Sequence, residues 1–199
     1  MALEGKDDKE MSRAIKQIIT QCVLTEGFNV NKIAMIDLEY IFLNIRGKAV
    51  GDISTIKFEH SCGEILELNI DLSKVEVVQN KNYSDLVKIT DDIMIRLRPP
   101  NIDDVIGIEN KNQVDVVTDI IRNNLLEIIQ GEDVFSAQDH SREELDEFIN
   151  SLNSGQFQKI QDYYESLPKL NQDVEYTCEK CGKTERETLE GLASFFASA

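Results

Sequence analysis

The sequence contains neither a Gly-x-x-x-x-Gly-Lys-Ser/Thr loop nor a Gly-x-Gly-x-x-Gly run, so no turn is marked out to cradle a phosphate and a nucleotide enzyme is not indicated. Cations are in short supply: 21 Lys and Arg stand against 37 Asp and Glu, for a formal net charge of -16. Such a field disfavours adhesion to DNA, RNA or anionic lipid. No basic start leads into an apolar leader, and no stretch reaches the roughly 18 consecutive apolar residues that a spanning helix needs. A cytosolic protein is expected. Histidine is limited to His60 and His140. His140 lies in an acidic stretch, where an exposed loop residue is the plain reading, and no catalytic triad is suggested. The pairs Asp91-Asp92 and Asp103-Asp104 fall at element boundaries, where aspartate caps or turns the chain more often than it binds a hard cation. Internal repeats and low-complexity linkers are also absent, which leaves domain boundaries soft.

The 199 residues present suffice for a substantial core in one compact domain. After a polar, flexible start at 1–10, helices are expected over 11–52. Met11, Ile15, Ile18, Ile19, Cys22 and Val23 follow helical spacing, with Cys22 in the core. The segment 33–45 is apolar on more faces than a surface helix allows, so it should be central or lie in an interface. Alternation over 53–100 predicts four or five short antiparallel strands, ended by Pro99 and Pro100. A helical region is expected over 101–170. Its first stripe, Val114, Val117, Ile121, Leu125 and Ile128, stops near Gly131. A second helix opens with Ser141 and Glu144 at capping-box spacing, and a third is ended by Pro168. Residues 171–199 read as a hairpin with an apolar tail. The fold class is therefore α+β: an N-terminal helical pair, a central small antiparallel sheet, a helical segment, and a C-terminal Cys-x-x-Cys β-hairpin packed near the central hairpin.

Cys178, Cys181 and Gly182 have the form of a zinc knuckle, in which a two-residue spacer turns both thiolates towards one ion and glycine takes the tight turn. Tetrahedral zinc wants four ligands. The other cluster with thiolate character is the stretch FEHSCGE, which offers His60 and Cys62, with Gly63 matching Gly182. Glu59 stands where a partner to Cys178 would be expected, and His60 is one residue off that spacing. Three readings stay open: a complete structural zinc site at Cys178, Cys181, Cys62 and His60, a degenerate site that keeps its shape by packing, and redox chemistry. The last suits a Cys-x-x-Cys that opens a helix, whereas a strand-like segment follows here.

The helix and turn DLEYIFLNIRGKAVGD, then LNIDLSKVEV, a strand ending IRLRPP, FINSLNSGQFQKIQDYYESLPKL, YTCEKCG and LEGLASFF occur in an order similar to that of the T4-like bacteriophage baseplate hub assembly family. The resemblance covers about residues 11 to 196. It implies a tail morphogenesis protein, a baseplate hub subunit or hub assembly chaperone, made late in infection, acting in the host cell cytoplasm during assembly or within the virion baseplate. Its partners would be other hub or tail assembly proteins. It implies no catalysis; that neither nucleic acid nor membrane is a partner is expected from the net charge and the lack of long apolar runs. Family members are expected to carry two Cys-x-x-Cys pairs, so Glu59 is a departure.

Contact residues expected on this reading are Tyr40, Phe42, Leu43 and Arg46 on the apolar helix, and Leu192, Phe195 and Phe196 in the tail, which fall at i, i+3 and i+4. Two of these sets have a plainer alternative. Phe195 and Phe196 would equally serve as the last turn of the protein's own core, and Arg46 as a helix C-terminal cap. Two other functions compete with the assembly reading. One is a zinc-ribbon-like module for nucleic acid or the transcription machinery, with Lys180, Lys183 and Arg186 around the knuckle. The other is a cysteine enzyme using Cys62 beside His60.

Overall fold

The computed structural model describes residues 8–106 and 113–196; the side chains of 8–11, 105–106 and 113–115 lie outside that description. Of the expected flexible start at 1–10, residues 1–7 lie outside the described residues and 8–10 belong to the first helix; the side chains of Met11 and Val114 are not placed. In chain order the elements are α1 (Asp8–Cys22), α2 (Met35–Val50), β1 (Ile53–Glu59), β2 (Ile65–Asp71), β3 (Glu76–Val78), β4 (Leu86–Lys88), β5 (Ile93–Leu97), α3 (Ile102–Ile106), α4 (Gln113–Asn124), β6 (Leu125–Gln130), β7 (Asp133–Ser136), α5 (Arg142–Asn150), α6 (Ser154–Ser166), β8 (Lys169–Thr177), β9 (Thr184–Glu190) and α7 (Gly191–Ser194). The class is α+β, as the patterning predicts. Two compact units divide the chain: a split unit of residues 13–78 with 168–199, and an insert unit containing 79–167.

In the split unit, β1 and β2 form a two-stranded antiparallel sheet, and β8 joins β3 to β9 in a second. The alternation read over LNIDLSKVEVV is interrupted. Asp71 accepts from Ser73 N–H and caps a 3-10 turn at Leu72–Lys74, so the chain leaves the first sheet and β3 pairs with β8 in the second. The apolar helix expected at 33–45 is α2, which packs against α7 and β8. It buries Leu38, Phe42, Leu43 and Gly47. A Cβ on Gly47 would lie 2.7 Å from Asp52 Oδ1, so glycine is what lets the chain turn back at the helix end. Ile15 and Ile19 of α1 are buried, but Cys22 is exposed and takes no part in the core. It lies in the last turn of α1, beyond the buried stripe.

The insert unit has the sheet order β4-β5-β6-β7. Val87, Ile95, Leu97 and Leu125 from the strands meet Ile121 of α4, Leu145 and Ile149 of α5, and Ile160 and Tyr163 of α6 in one core. Burial of that many large side chains, at roughly 1.5–3 kcal/mol each, is the main stabilising contribution. Both capping boxes form, Ser141 with Glu144 and Asn153 with Gln156. The helix read to Gly131 ends at Asn124, and Leu125 and Ile128 lie in β6 instead. There Ile128 faces Ile95 of β5. Gly131, with φ of 61°, turns the β6-β7 hairpin and does not end a helix. His140 is partly exposed beside Glu144. Asp104 is buried, accepting from Arg98 and from the backbone N–H of Asn101. It secures the chain before α3.

Candidate metal centre

The tips of the β1-β2 and β8-β9 hairpins build the site within the split unit. Each strand pair is fixed by an antiparallel register, Glu59 facing Ile65 at one tip and Thr177 facing Thr184 at the other. Beyond those pairs the turns are homologous in their bonding. His60 N–H donates to Glu64 C=O and Gly63 N–H to His60 C=O; Cys178 N–H donates to Lys183 C=O and Gly182 N–H to Cys178 C=O. Gly63 and Gly182 both adopt left-handed backbone, at φ 77° and 72°. His60 is thus the counterpart of Cys178, and Glu59 is an exposed strand residue with no place in the site. The first turn is one residue shorter, and the longer imidazole makes up the reach.

His60, Cys62, Cys178 and Cys181 offer ligand atoms that lie within 4.8 Å of one another. Cys62 Sγ is 3.7 Å from Cys178 Sγ, and His60 Nδ1 is 3.1 Å from Cys62 Sγ and 4.0 Å from Cys181 Sγ. Around tetrahedral zinc, bonds of about 2.3 Å to sulfur and about 2.0 Å to nitrogen separate the ligand atoms by about 3.8 Å and about 3.5 Å. The sulfur pair matches the first figure and the two nitrogen contacts bracket the second. The set therefore fits a tetrahedral ion with no large movement. His60 and Cys178 are buried, Cys62 is half-buried and Cys181 is exposed. Burial pushes the Cys62 thiol above its ordinary range, whereas the backbone N–H groups of Cys181 and Lys180 hold the Cys178 thiol below it. Amides aimed at a sulfur favour thiolate, the form that binds metal.

A second layer surrounds these residues. His60 Nε2 is 3.2 Å from Glu185 Oε2, close but not aligned as a hydrogen bond, and has no other partner among the described residues. Tyr176 donates its hydroxyl to the same Glu185 oxygen at 3.2 Å, and its ring meets Phe58 edge-on with centroids 5.0 Å apart. Lys180 pairs with Glu64 at 3.1 Å, linking the two turns.

A model of the T4 bacteriophage base plate protein family matches residues 1–197. The chain belongs to the T4 bacteriophage base plate protein family. No curated protein and no solved structure matches it. In this baseplate protein, the residues expected to meet partners are placed as follows. Tyr40 is 44% exposed on α2. Phe42, Leu43, Leu192 and Phe195 are buried, and Phe196 meets the Phe42 ring edge-on. Arg46 donates to Gly51 C=O at the end of α2. Among the described residues, no helix is long and apolar enough to cross a membrane. Sequence reasoning did not single out Glu185 or Tyr176, which sit on strands as ordinary alternating residues; the β8-β9 register sets them opposite each other, and the meeting of the two hairpin tips brings them beside His60.

Proposed function

We propose that this baseplate family member is a hub subunit or hub assembly chaperone, acting by protein-protein contact in the host cytoplasm, with one structural zinc at His60, Cys62, Cys178 and Cys181. It is not an enzyme on this reading and binds neither nucleic acid nor membrane. The family match along residues 1–197 carries the baseplate assignment. The finer role is supported by the closed character of the metal centre, where four protein ligands leave no position for a substrate. The partner face is taken to include Tyr40, with Phe42, Leu43 and the tail residues Leu192, Phe195 and Phe196 shaping it from beneath and Arg46 fixing the helix end.

The nucleic-acid alternative is disfavoured locally as well as by net charge. Lys180 is paired with Glu64 and Arg186 with Asp173, so two of the three cations near the knuckle already have carboxylate partners. The cysteine-enzyme alternative is disfavoured by crowding, since Cys178 Sγ lies 3.7 Å from the thiol that would have to attack.

Phage lacking the gene, complemented in trans, test the role. The expected outcome is loss of completed hubs, restored by the wild-type chain, with chemical cross-links from Tyr40 and its neighbours to hub proteins. Normal hub assembly without the gene would refute it. Elemental analysis of untagged protein should find one zinc per chain, lost in Cys178→Ser; metal-free wild-type protein would refute the zinc half.

A further inference from the structure

His60 has two ring nitrogens, and the surroundings of each say which one carries the proton. Cys62 N–H donates to Nδ1 at 3.3 Å, which requires a lone pair there, and the sulfurs of Cys62 and Cys181 lie 3.1 Å and 4.0 Å from the same atom. In the neutral ring the proton then resides on Nε2. That atom is buried, lacks an aligned hydrogen-bond partner, and lies 3.2 Å from Glu185 Oε2. The opposite tautomer would set a lone pair against a carboxylate. Glu185 is itself held: it faces Tyr176 across the β8-β9 ladder, accepts the Tyr176 hydroxyl, and Tyr176 stands edge-on to the His60 ring at 6.2 Å.

We propose that Glu185 is a positioning residue of the metal centre, which holds the Nε2–H of His60 so that Nδ1 is presented as the fourth ligand to a zinc-class divalent ion alongside three thiolates. This rests on the structural-zinc reading above. A carboxylate behind a metal-bound imidazole fixes ring orientation and raises its strength as a donor. Here it has a further task. The His-x-Cys turn is shorter than the Cys-x-x-Cys turn opposite, and Nδ1, the ring nitrogen nearer the backbone, is the one found 3.1 Å from Cys62 Sγ and 4.0 Å from Cys181 Sγ. Tyr176, sharing the same carboxylate oxygen, keeps Glu185 from swinging into solvent.

The test uses the full chain loaded with zinc. Long-range proton-nitrogen spectra of His60 should show a protonated Nε2 and a metal-bound Nδ1. Competition against a chromophoric chelator should show zinc held 10 to 100-fold more weakly by Glu185→Ala, with partial recovery in Glu185→Gln, whose amide oxygen still accepts the Nε2–H. Tyr176→Phe, which keeps the ring and removes the hydroxyl, should weaken zinc severalfold and covers the case in which Glu185→Ala misfolds. Zinc bound through Nε2, or held by Glu185→Ala and Tyr176→Phe as tightly as by wild type, would overturn this assignment while leaving the structural zinc in place. A wild-type chain that binds no zinc would overturn both.

Discussion

Replacing Glu39 by glutamine should make the protein more stable, by an amount that grows as pH rises from about 4.5 to about 7. Glu39 lies on α2 one position from the fully buried Leu38, and burial raises its carboxyl from 4.5 to about 7, opposed by the backbone N–H of Leu192. Its folded-state value lies above the unfolded one, so between those pH values the folded protein binds the extra proton. Stability from this group is therefore full below pH 4.5 and is lost as pH rises through about 7. At 1.36 kcal/mol per pH unit, the gap corresponds to about 3 kcal/mol. Glutamine keeps an oxygen for Leu192 and carries no charge to bury. Urea unfolding of wild type and Glu39→Gln, followed by circular dichroism from about pH 5 to about pH 8.5, should show a gain below about 1 kcal/mol at the acid end. The variant should be ahead by about 3 kcal/mol at the basic end. The difference curve cancels groups common to both proteins. A variant that is less stable throughout, or a difference that does not vary with pH, would refute the argument.

Phe195 is fully buried, and Phe195→Ala should cost about 3–5 kcal/mol in urea unfolding; a loss below about 1 kcal/mol would show that the tail is not core. Arg122, with its side chain 9% exposed between Asp119 and Asp146, should cost about 3 kcal/mol when changed to Met, because two carboxylates lose a shielded cation. The more exposed Arg142, which also meets Asp119, should cost less than about 1 kcal/mol in the same assay. Gly182→Ala places a Cβ at positive φ with open space around it, so only the backbone objects, and about 1–2 kcal/mol should be lost from thermal unfolding.

Much of this was readable from local pattern. The hairpin β1-β2 follows alternation, and the capping box at Ser141 and Glu144 is spelled out in the chain. The misreadings have physical causes. Leu125 and Ile128 sit at helical spacing from Ile121, and nothing local says that pairing with β5 will win over the continuation of α4; that decision belongs to Ile95 and Met94, some thirty residues earlier. Gly131 serves a hairpin as readily as a helix end, since both need left-handed backbone. At the metal centre, the ligand residues were visible as types, but the matching of His60 to Cys178 was not. Spacing counts residues, whereas the turns are aligned by their hydrogen bonds, and a longer side chain can stand in for a missing residue.

The split unit has a consequence for how the protein is made. Cys62 and Cys178 are 116 residues apart, so at roughly 5–20 residues per second the first half of the metal centre leaves the ribosome roughly 6 to 23 seconds before the second. During that interval Leu38, Phe42 and Leu43 have no β8 or α7 to cover them, while by its end the insert unit has all the strands and helices of its core. The stretch from Lys169 to Ser194 carries the cover and both remaining thiolates together. The step that seals the apolar face of α2 thus follows the insert unit, and a nascent chain stalled before Lys169 would expose that face to whatever chaperone or partner is at hand.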